Sequence, residues 1–170
     1  SSYQLEWPGA FSPQIGVILN LTPDHLKRHG DMEGYAAAKS RLFERMEETD
    51  LAVIPSADDR LRRHAGTTGQ RCWIGAHPGV TREGDVIDIR WPGGRVHFDL
   101  SGFPIPGAHN KDNAATAALV ALTLGASTQA VGEALPTLRA LEHRMEVVMV
   151  RDDVQWINDS KATNVDALRV

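Results

Sequence analysis

Ile15-Gly16-Val17-Ile18-Leu19 is a short apolar run that leads directly into the polar segment Asn20-Leu21-Thr22-Pro23-Asp24-His25. Its brevity and its β-branched side chains predict a buried strand followed by a loop. A helical pattern and a second apolar run, residues 51–54, come next along the chain. A strand–helix–strand unit of this kind places its two strands parallel in one sheet. We therefore expect a three-layer α/β domain with a mostly parallel sheet, in which these two strands are central.

The crossover helix between the two strands is predicted over residues 32–46. Its core-facing positions recur at the spacing i, i+3, i+4, i+7, i+8 and i+11, which is typical of one helical face. These positions are Tyr35, Ala38, Lys39, Leu42, Phe43 and Met46. A second, short helix is predicted over residues 58–64.

The middle of the chain predicts a small antiparallel β region toward one edge of the sheet. Its strands are expected at residues 71–74, 86–91 and 95–100. Pro92-Gly93-Gly94 is the expected hairpin turn between the last two of these strands.

The remaining part of the chain predicts two helices and then two strands. The first helix is Ala-rich, spans residues 111–124 and is closed by Gly125. The other elements are a helix over residues 128–141, with Pro136 inside it, and strands over 145–150 and 154–157. We place a domain boundary before the strands, so that residues 1–141 form one domain and residues 142–170 begin another. The chain is expected to be a piece of a longer protein.

Composition argues against several classes of function. The formal net charge is −4 and there is no basic stripe, so nucleic acid is not expected as a partner. Cys72 is the single cysteine, which indicates a reducing compartment. Residues 114–124 are too short and too rich in Ala and Thr to span a bilayer, and no signal peptide begins at Ser1. We expect a cytoplasmic monomer that acts on small molecules and not on a membrane.

The polar segment Asn158-Asp159-Ser160-Lys161-Ala162-Thr163-Asn164 follows the last predicted strand. It places an acid, a base, two hydroxyls and two amides at the carboxyl end of a strand expected to be buried. Ligands bind at that end of the strands in α/β proteins. The alternative is a helix N-cap, with Asp159 or Ser160 as the cap and Lys161 in solvent.

Two residues near the N-terminus are candidate metal ligands. Glu6 follows the strand-like Tyr3-Gln4-Leu5, and its carboxylate suits magnesium, or else is solvated at the strand end. His25 is a candidate to ligate a metal or to hydrogen-bond a substrate. The alternative is a solvent-facing His25 next to an N-cap formed by Asp24 or Thr22.

Lys39 and two asparagines complete the set of candidates. Lys39 lies on the apolar stripe of its helix, where a lysine either extends its charge to solvent or buries an amine with a lowered pKa beside a metal or phosphate. Asn110 and Asn113 share one face at the start of the Ala-rich helix, where exposed N–H groups favour anions. They are candidates for binding a nucleotide base and its phosphates, and Asn110 is alternatively a plain N-cap.

Six segments, taken in this order, resemble the Mur ligases. They are Ser1-Ser2-Tyr3-Gln4-Leu5-Glu6, Leu19-Asn20-Leu21-Thr22-Pro23-Asp24-His25, Ala37-Ala38-Lys39, Gly107-Ala108-His109-Asn110-Lys111-Asp112-Asn113, His143-Arg144-Met145-Glu146 and Asn158-Asp159-Ser160-Lys161-Ala162-Thr163-Asn164. The resemblance covers essentially the whole chain. The first and last segments resemble the D-glutamate-adding members of the family in particular.

The resemblance implies a fold and an activity. It implies a central ATP-binding domain like that of P-loop NTPases, followed by the start of a Rossmann-like C-terminal domain. The implied reaction adds D-glutamate to UDP-N-acetylmuramoyl-L-alanine during peptidoglycan synthesis, the pathway that serves cell shape and division. ATP and two magnesium ions are the implied cofactors, and the carboxylate of the substrate is activated as an acyl phosphate.

The resemblance also implies residue roles. Glu6 and His25 correspond to the ligands of the two magnesium ions, and Lys39 corresponds to a lysine that the family carries as a carbamate supporting the second ion. The nucleotide is implied to contact Asn110, Asn113, Arg144 and Asp159. The phosphates and D-glutamate are implied to lie near Lys161 and Thr163, with Ser160 beside them.

The chain departs from the family pattern in one important way. A phosphate-binding loop of the type Gly-x-x-Gly-Lys-Ser/Thr is absent, and in full-length members it lies upstream of the segment that begins at Ser1. We therefore expect the activity to belong to the parent enzyme and this chain alone to be inactive. Two alternatives stay open: another amide ligase of the family, such as the one that adds glutamate to folates, and a non-catalytic nucleotide-binding domain.

Overall fold

The computed structural model of the protein describes residues 1–66, 69–144 and 146–162. These residues contain one six-stranded sheet with the strand order β1-β2-β3-β4-β5-β6, and a separate two-stranded sheet, β7-β8. The strands of the large sheet are β1 (Ile15–Val17), β2 (Leu51–Pro55), β3 (Gln70–Ile74), β4 (Gly79–Glu83), β5 (Val86–Trp91) and β6 (Gly94–Asp99). The strands of the small sheet are β7 (Glu146–Arg151) and β8 (Val154–Asn158).

The parallel part of the large sheet consists of β1 to β4. β1 pairs with β2 in parallel, with Ile15 opposite Leu51, which confirms the predicted relation between these two strands. The expectation that both are central is wrong for β1, because within the described residues this strand pairs on one side only. The strand predicted at residues 71–74 was assigned to the antiparallel region, and this is also wrong. β3 pairs in parallel with β2, with Cys72 opposite Val53, and β4 pairs in parallel with β3.

The antiparallel part of the sheet consists of β4, β5 and β6. The prediction of a hairpin is confirmed: Trp91 lies opposite Gly94, so Pro92 and Gly93 form a two-residue turn. β4, which joins the parallel and antiparallel halves of the sheet, was not predicted from the sequence. This strand has only five residues, and its burial does not alternate, so it lacks the period-two signal.

The helices of the described residues cover both faces of the sheet. They are α1 (Ser2–Leu5), α2 (Leu26–His29), α3 (Met32–Ser40), α4 (Asp59–His64), α5 (Ala108–Thr123) and α6 (Thr128–Ala134), with short 3-10 turns at Arg41–Phe43 and Leu135–Thr137. None of them combines the length and the apolar composition that crossing a membrane requires.

Three predictions of local structure need correction, one for a strand and two for helices. The strand-like residues 3–5 form α1, because Ser1 and Gln4 cap each other in a capping box. The helix predicted over 32–46 ends at Ser40 and continues as a single 3-10 turn. The helix predicted over 128–141 ends at Ala134, because Pro136 cannot donate the next backbone hydrogen bond.

The core has two layers, one on each face of β2. Leu51 and Val53 pack in the layer beneath α5 and α6, whereas Ala52 and Ile54 pack in the layer beneath α4 and the segment after α3. The first layer also contains Ile87, Ile89, Leu100, Ala115, Ala118, Leu119 and Leu122. Since β2 lies between two helical layers, the predicted three-layer α/β fold is confirmed.

Gly16 permits the close packing of β1 on the second layer. A Cβ atom at this position would lie 2.8 Å from the ring of Phe43 and 3.1 Å from the terminal methyl of Met46. Both side chains are buried, so neither can move aside into solvent. A glycine is therefore required where this helix-to-strand contact is made.

The β7-β8 hairpin confirms the predicted pair of strands but not its expected burial. The strands are antiparallel, with Val147 opposite Ile157. The polar segment after β8 was expected to follow a buried strand, but Trp156 is 55% exposed and Ile157 is 46% exposed. The assignment of residues 142–170 to a second domain stays a prediction.

A cluster of charges surrounds Asp88 on the outer face of the antiparallel strands. Arg95 donates two hydrogen bonds to its carboxylate, at 3.0 and 2.9 Å, and Arg90 donates one at 3.0 Å. His77 and His97 lie within 3.2 and 3.3 Å of the same carboxylate. The hydrogen bonds from Arg95, and then from Arg90, hold the pKa of the Asp88 carboxyl well below its usual range.

We expect the substitution Asp88→Asn to lower the free energy of unfolding at pH 7 by about 1–2 kcal/mol. The reason is that Arg90 and Arg95 lie directly opposite each other across β5 and β6. Without the negative charge of Asp88, their mutual repulsion would no longer be offset. The pKa of Asp88 is lower in the folded than in the unfolded state. This stabilisation is therefore present above the unfolded-state value of about 3.9 and is lost as the pH falls through the folded-state value.

Urea denaturation of Asp88→Asn and of the wild type, at pH 7 and at pH 3, measures the difference between their free energies of unfolding. Glu83→Gln is the matched control, because Glu83 is exposed on β4 and its side chain makes no hydrogen bond or ion pair with the described residues. If Asp88→Asn lowers the free energy of unfolding by the same amount at both pH values, the stabilisation does not come from the ionised carboxylate of Asp88.

Candidate functional site

A cavity of about 370 Å³ lies between the start of α5 and the segments that flank the β7-β8 hairpin. Its polar lining comes from both sides. The lining side chains with polar groups are His109, Asn110, Asn113, Arg139, Arg144, Asp159 and Lys161. The structure thus brings together five residues that the sequence analysis selected, and adds His109 and Arg139. Their function as a nucleotide site stays a prediction at this point.

The α5 side of the cavity is built by an unusual helix start. Gly107 occupies the N-cap position with φ +98°, a backbone conformation that favours glycine. A Cβ atom there would lie 2.7 Å from the ring of His109. Asn110 is therefore not the N-cap, which corrects that alternative. Its side-chain amide donates a 2.6 Å hydrogen bond to the carbonyl of Pro106, and its carbonyl oxygen remains available to a ligand.

Asn113 lies one turn further along α5, on the same face as Asn110. Both side chains line the cavity, as the spacing of three residues predicts for one helical face. The first turn of α5 also presents backbone N–H groups that have no partner within the helix. This side of the cavity therefore combines neutral hydrogen-bonding groups with the positive end of a 16-residue helix.

The opposite side of the cavity is held by a network at the base of the β7-β8 hairpin. The amide of Asn158 lies 2.8 Å from Nδ1 of His143 and donates to Glu146 Oε2 at 3.3 Å. The backbone N–H of Lys161 donates to the carbonyl of His143 at 3.2 Å. Arg144 follows His143 directly, so this network fixes it beside the segment that carries Asp159 and Lys161. His143 and Glu146 belong to the motif that resembles the Mur ligases, but their positioning role was not foreseen.

The cavity has an excess of positive charge. Arg139, Arg144 and Lys161 face the single carboxylate of Asp159. Arg139 is held by the carbonyls of Thr137 and Leu138, at 3.0 and 2.9 Å. The side chains of Arg144 and Lys161 make no hydrogen bond or ion pair with any residue that the structure describes. The arrangement suits a ligand that carries several negative charges and also offers groups for hydrogen bonding.

The two other candidates from the last segment have different outcomes. The backbone N–H of Ser160 donates to Oδ1 of Asn158 at 3.2 Å, so this residue belongs to the turn after β8. Thr163 lies outside the described residues. The same is true of residues 164–170, so the possibility that this segment caps a helix is not resolved by the structure.

Glu6 is paired with an arginine. Arg28 donates to both carboxylate oxygens, at 3.0 and 2.7 Å, and Nδ1 of His29 lies 3.6 Å away. The hydrogen bond from Arg28 is the main reason why the pKa of Glu6 is lowered. Arg28 also lies over the ring of Tyr3, at 5.6 Å from its centroid. Glu6 is therefore the acceptor of an ion pair in this arrangement.

His25 occupies the N-cap position of α2. Its φ is +54°, and its backbone N–H donates to Oδ1 of Asp24 at 2.8 Å. The N-cap is therefore His25 itself and neither Asp24 nor Thr22, which corrects that alternative. Its ring packs edge-on against Tyr3, with the centroids 5.0 Å apart.

Lys39 is half-buried and lies 5.0 Å from the centroid of the Tyr35 ring, a cation–π distance. It lines a second cavity, of about 740 Å³, together with Asn20 at the end of β1. The other lining residues include the apolar Trp7, Phe11 and Leu42. Lys39 is neither fully solvated nor fully buried, so the structure leaves both interpretations from the sequence in place.

The residues expected to bind magnesium do not form a metal site in this arrangement. Among residues 1–66, 69–144 and 146–162, no three His, Cys, Asp or Glu side chains are grouped closely enough to hold an ion. The oxygens of Glu6 are already occupied by Arg28. The roles of Glu6, His25 and Lys39 toward magnesium stay predictions.

Comparison with known proteins identifies the family. Residues 2–121 match the model of the Mur ligase middle domain. The chain belongs to the Mur ligase family. This membership confirms the resemblance that its motifs indicated.

Individual Mur ligases are similar over nearly the whole chain. The UDP-N-acetylmuramoylalanine–D-glutamate ligase of Acidobacterium capsulatum is 39% identical over 181 residues, which cover 99% of this chain and 38% of the relative. The enzyme of the same name from Elusimicrobium minutum is 36% identical, covering 98% of this chain and 37% of the relative. The chain therefore spans less than two fifths of the length of these curated relatives.

Solved structures of Mur ligases share the fold. MurF from Acinetobacter baumannii superimposes with a TM-score of 0.70 at 22% identity, over 92% of this chain and 36% of that protein. MurF from Thermotoga maritima, solved in complex with ADP, gives a TM-score of 0.68 at 19% identity, over 93% of this chain and 38% of that protein. At these identities the comparison supports the architecture alone.

The pairing of Glu6 leads to a prediction about its ionisation. We expect Arg28→Ala to raise the pKa of Glu6, because the substitution removes the hydrogen bonds that favour the charged carboxylate. A titration of the Glu6 carboxyl carbon by NMR measures the change. Lys27→Ala is the matched control, since Lys27 is the exposed neighbour of Arg28 on α2 and does not contact Glu6. An unchanged titration of Glu6 in Arg28→Ala would show that the ion pair does not form in solution.

Proposed function

We propose that this chain is the nucleotide-binding part of an ATP-dependent ligase that joins D-glutamate to UDP-N-acetylmuramoyl-L-alanine in peptidoglycan synthesis. The observation that carries the proposal is the cavity lined by Asn110, Asn113, Arg144, Asp159 and Lys161. The names of the relatives that are 36–39% identical to the chain support the choice of substrates.

The cavity offers a separate group for each part of ATP. The carbonyl oxygen of Asn110 and the amide of Asn113 have the mixed donor and acceptor character that recognises the edge of a base. The carboxylate of Asp159 is an acceptor for the hydroxyls of a ribose. Arg144 and Lys161 supply positive charge for phosphates, and together with Arg139 they outnumber the one carboxylate that lines the cavity, that of Asp159.

The proposed reaction has two steps, both of which take place in the intact protein. A carboxylate oxygen of UDP-N-acetylmuramoyl-L-alanine attacks the γ-phosphorus of ATP, which forms an acyl phosphate and releases ADP. The amine of D-glutamate then attacks the carbonyl carbon, so that the amide bond forms, inorganic phosphate leaves and the amine loses a proton. The contribution of this chain is to fix the nucleotide while the phosphoryl group is transferred. Magnesium is expected as a cofactor when the intact protein is loaded, where it would neutralise charge on the phosphates.

The proposal is tested by measuring phosphate release by the intact protein. Release should require ATP, UDP-N-acetylmuramoyl-L-alanine and D-glutamate together. Asn113→Ala should raise the KM for ATP about tenfold, the size expected from the loss of one or two hydrogen bonds, and leave the affinity for the UDP-sugar nearly unchanged. Gln155→Ala is the control, because Gln155 is an exposed amide on β8 that does not line the cavity.

Two results would count against the proposal. Turnover that does not depend on D-glutamate, or that uses a folate in place of the UDP-sugar, would assign a different ligase activity. An equal loss of affinity for ATP and the UDP-sugar in Asn113→Ala would show that Asn113 is structural.

The charge at Lys39 gives a second test of the proposal. If this lysine carries a carbamate, as the family resemblance implies, a cation becomes an anion and the local charge changes by two units. Lys39→Ala should then abolish turnover without unfolding the protein, and a small added carboxylate should restore part of it. Lys39→Arg should be as inactive as Lys39→Ala, since arginine retains the positive charge. The control variant Lys27→Ala, which changes an exposed lysine on α2, should remain active.

The measurements are turnover and a carbon-13 NMR spectrum of protein kept in labelled bicarbonate, in which a carbamate gives its own signal. Near-normal turnover by Lys39→Arg would show that Lys39 acts as an ordinary cation beside Tyr35. A labelled carbamate signal that persists in Lys39→Ala would place the modification on a different amine.

A further inference from the structure

The two residues between Asn110 and Asn113 are bound by the β4-β5 hairpin. Asp112 accepts a short hydrogen bond from Nε of Arg82, which lies on β4. Lys111 forms an ion pair with Asp85, which lies in the turn that follows. Neither Lys111 nor Asp112 lines the cavity that contains the asparagines. The first turn of α5 therefore faces the cavity with one side and is attached to the sheet by the other.

The β4-β5 turn that holds α5 is itself fixed. Arg82 donates a second hydrogen bond, of 2.6 Å, to the carbonyl of Gly84. The carbonyl of Asp85 accepts a 2.7 Å hydrogen bond from the backbone of Leu100. The side chains of Arg82 and Lys111 are 21% and 22% exposed, whereas those of their partners Asp112 and Asp85 are 48% and 46% exposed, so water screens one end of each ion pair more than the other. The hydrogen bond with Asp112 also raises the pKa of Arg82.

The order of the charges selects one rotation of the helix. Asp112 meets the positive Arg82, and Lys111 meets the negative Asp85. A rotation of α5 by about 100° in one direction would bring Lys111 beside Arg82, and the same rotation in the other direction would bring Asp112 beside Asp85. Either contact would join like charges, which repel. Three of the buried side chains of α5 are alanines, Ala114, Ala115 and Ala118, and these interlock with the sheet less than larger side chains do.

A small rotation would be enough to disturb the cavity. Side chains at the surface of a helix lie about 5–6 Å from its axis, so a rotation by about 10° moves them by about 1 Å. Hydrogen bonds form over a range of only about 0.5 Å, so such a movement takes an amide from contact to no contact. The directions of Asn110 and Asn113 thus depend on how firmly their first helical turn is held.

We propose that Arg82 and Asp85 are positioning residues of the nucleotide site, which set the rotation of the first turn of α5 through Asp112 and Lys111. The inference rests on the proposed function of the cavity. Arg82 and Asp85 touch no ligand themselves and act only through the helix.

The test is an exchange of charges in the intact protein. Arg82→Asp and Asp112→Arg should each weaken ATP binding about tenfold, as measured by calorimetry, because each places like charges together. The double variant that carries both substitutions restores an opposite-charge pair, so its affinity for ATP should return to within about threefold of the wild type. Lys111→Ala should weaken ATP binding less than either single reversal, since it removes an attraction without adding a repulsion. The affinity for UDP-N-acetylmuramoyl-L-alanine should stay unchanged in all four variants.

Glu83→Gln is the control on the same hairpin, because Glu83 has no partner among the described residues, and it should bind ATP like the wild type. Circular dichroism establishes that each variant is folded. Three results overturn the inference: single reversals that bind ATP normally, a folded double variant that does not recover, and losses of equal size for ATP and the UDP-sugar. If Asn113→Ala binds ATP as the wild type does, the proposed nucleotide site is wrong and this inference falls with it. If Asn113→Ala loses affinity and the Arg82 variant does not, only this inference is wrong.

Discussion

The burial of β2 on both of its faces is the constraint from which the rest of the fold follows. Val53 and Ile54 point to opposite sides of the sheet and are both fully buried. A fully buried side chain of this kind contributes about 1.5–3 kcal/mol, and it does so only if a helical layer covers each face. The crossover through α3 and α4 supplies one layer, and the return through α5 and α6 supplies the other. The position of α5 over the sheet is therefore determined by apolar burial and does not depend on the polar residues at the start of the helix.

This placement explains why the functional groups lie where they do. Ala115, Ala118 and Leu119 attach α5 to the sheet, and the small size of the two alanines allows the helix to approach it closely. The polar first turn then projects beyond this contact, where it forms one wall of the cavity. The second wall comes from the base of the β7-β8 hairpin, which the His143 and Asn158 network closes. The cavity is thus formed by two units that are each stabilised by contacts of their own.

Sequence patterns predicted local structure well and long-range arrangement less well. The Ala-rich helix, the Pro92-Gly93 turn and the parallel pairing of Ile15 with Leu51 each have a local signal, and each is confirmed. The edge position of β1 and the parallel pairing of β3 have no such local signal in the sequence, because strand order depends on which faces of the sheet the helices cover. Asn110, Asn113 and Arg144 could be proposed together only through the family motifs. Arg82 and Asp85 belong to no motif, and only their contacts with α5 reveal them.

The two groups of candidate residues differ in how their charges are balanced. In the cavity beside α5, the cationic side chains of Arg139, Arg144 and Lys161 outnumber the single lining carboxylate, that of Asp159, so an anionic ligand would meet a lining with a net positive charge. Near the N-terminus, by contrast, the charge of Glu6 is already balanced by another residue of the protein, because Arg28 donates two hydrogen bonds to its carboxylate. A cation that replaced the guanidinium at Glu6 would also separate Arg28 from its contact with Tyr3. That contact connects Glu6 to His25, since both Arg28 and His25 pack on the same ring. The Tyr3 ring therefore supports both candidate metal ligands, Glu6 through Arg28 and His25 by direct contact.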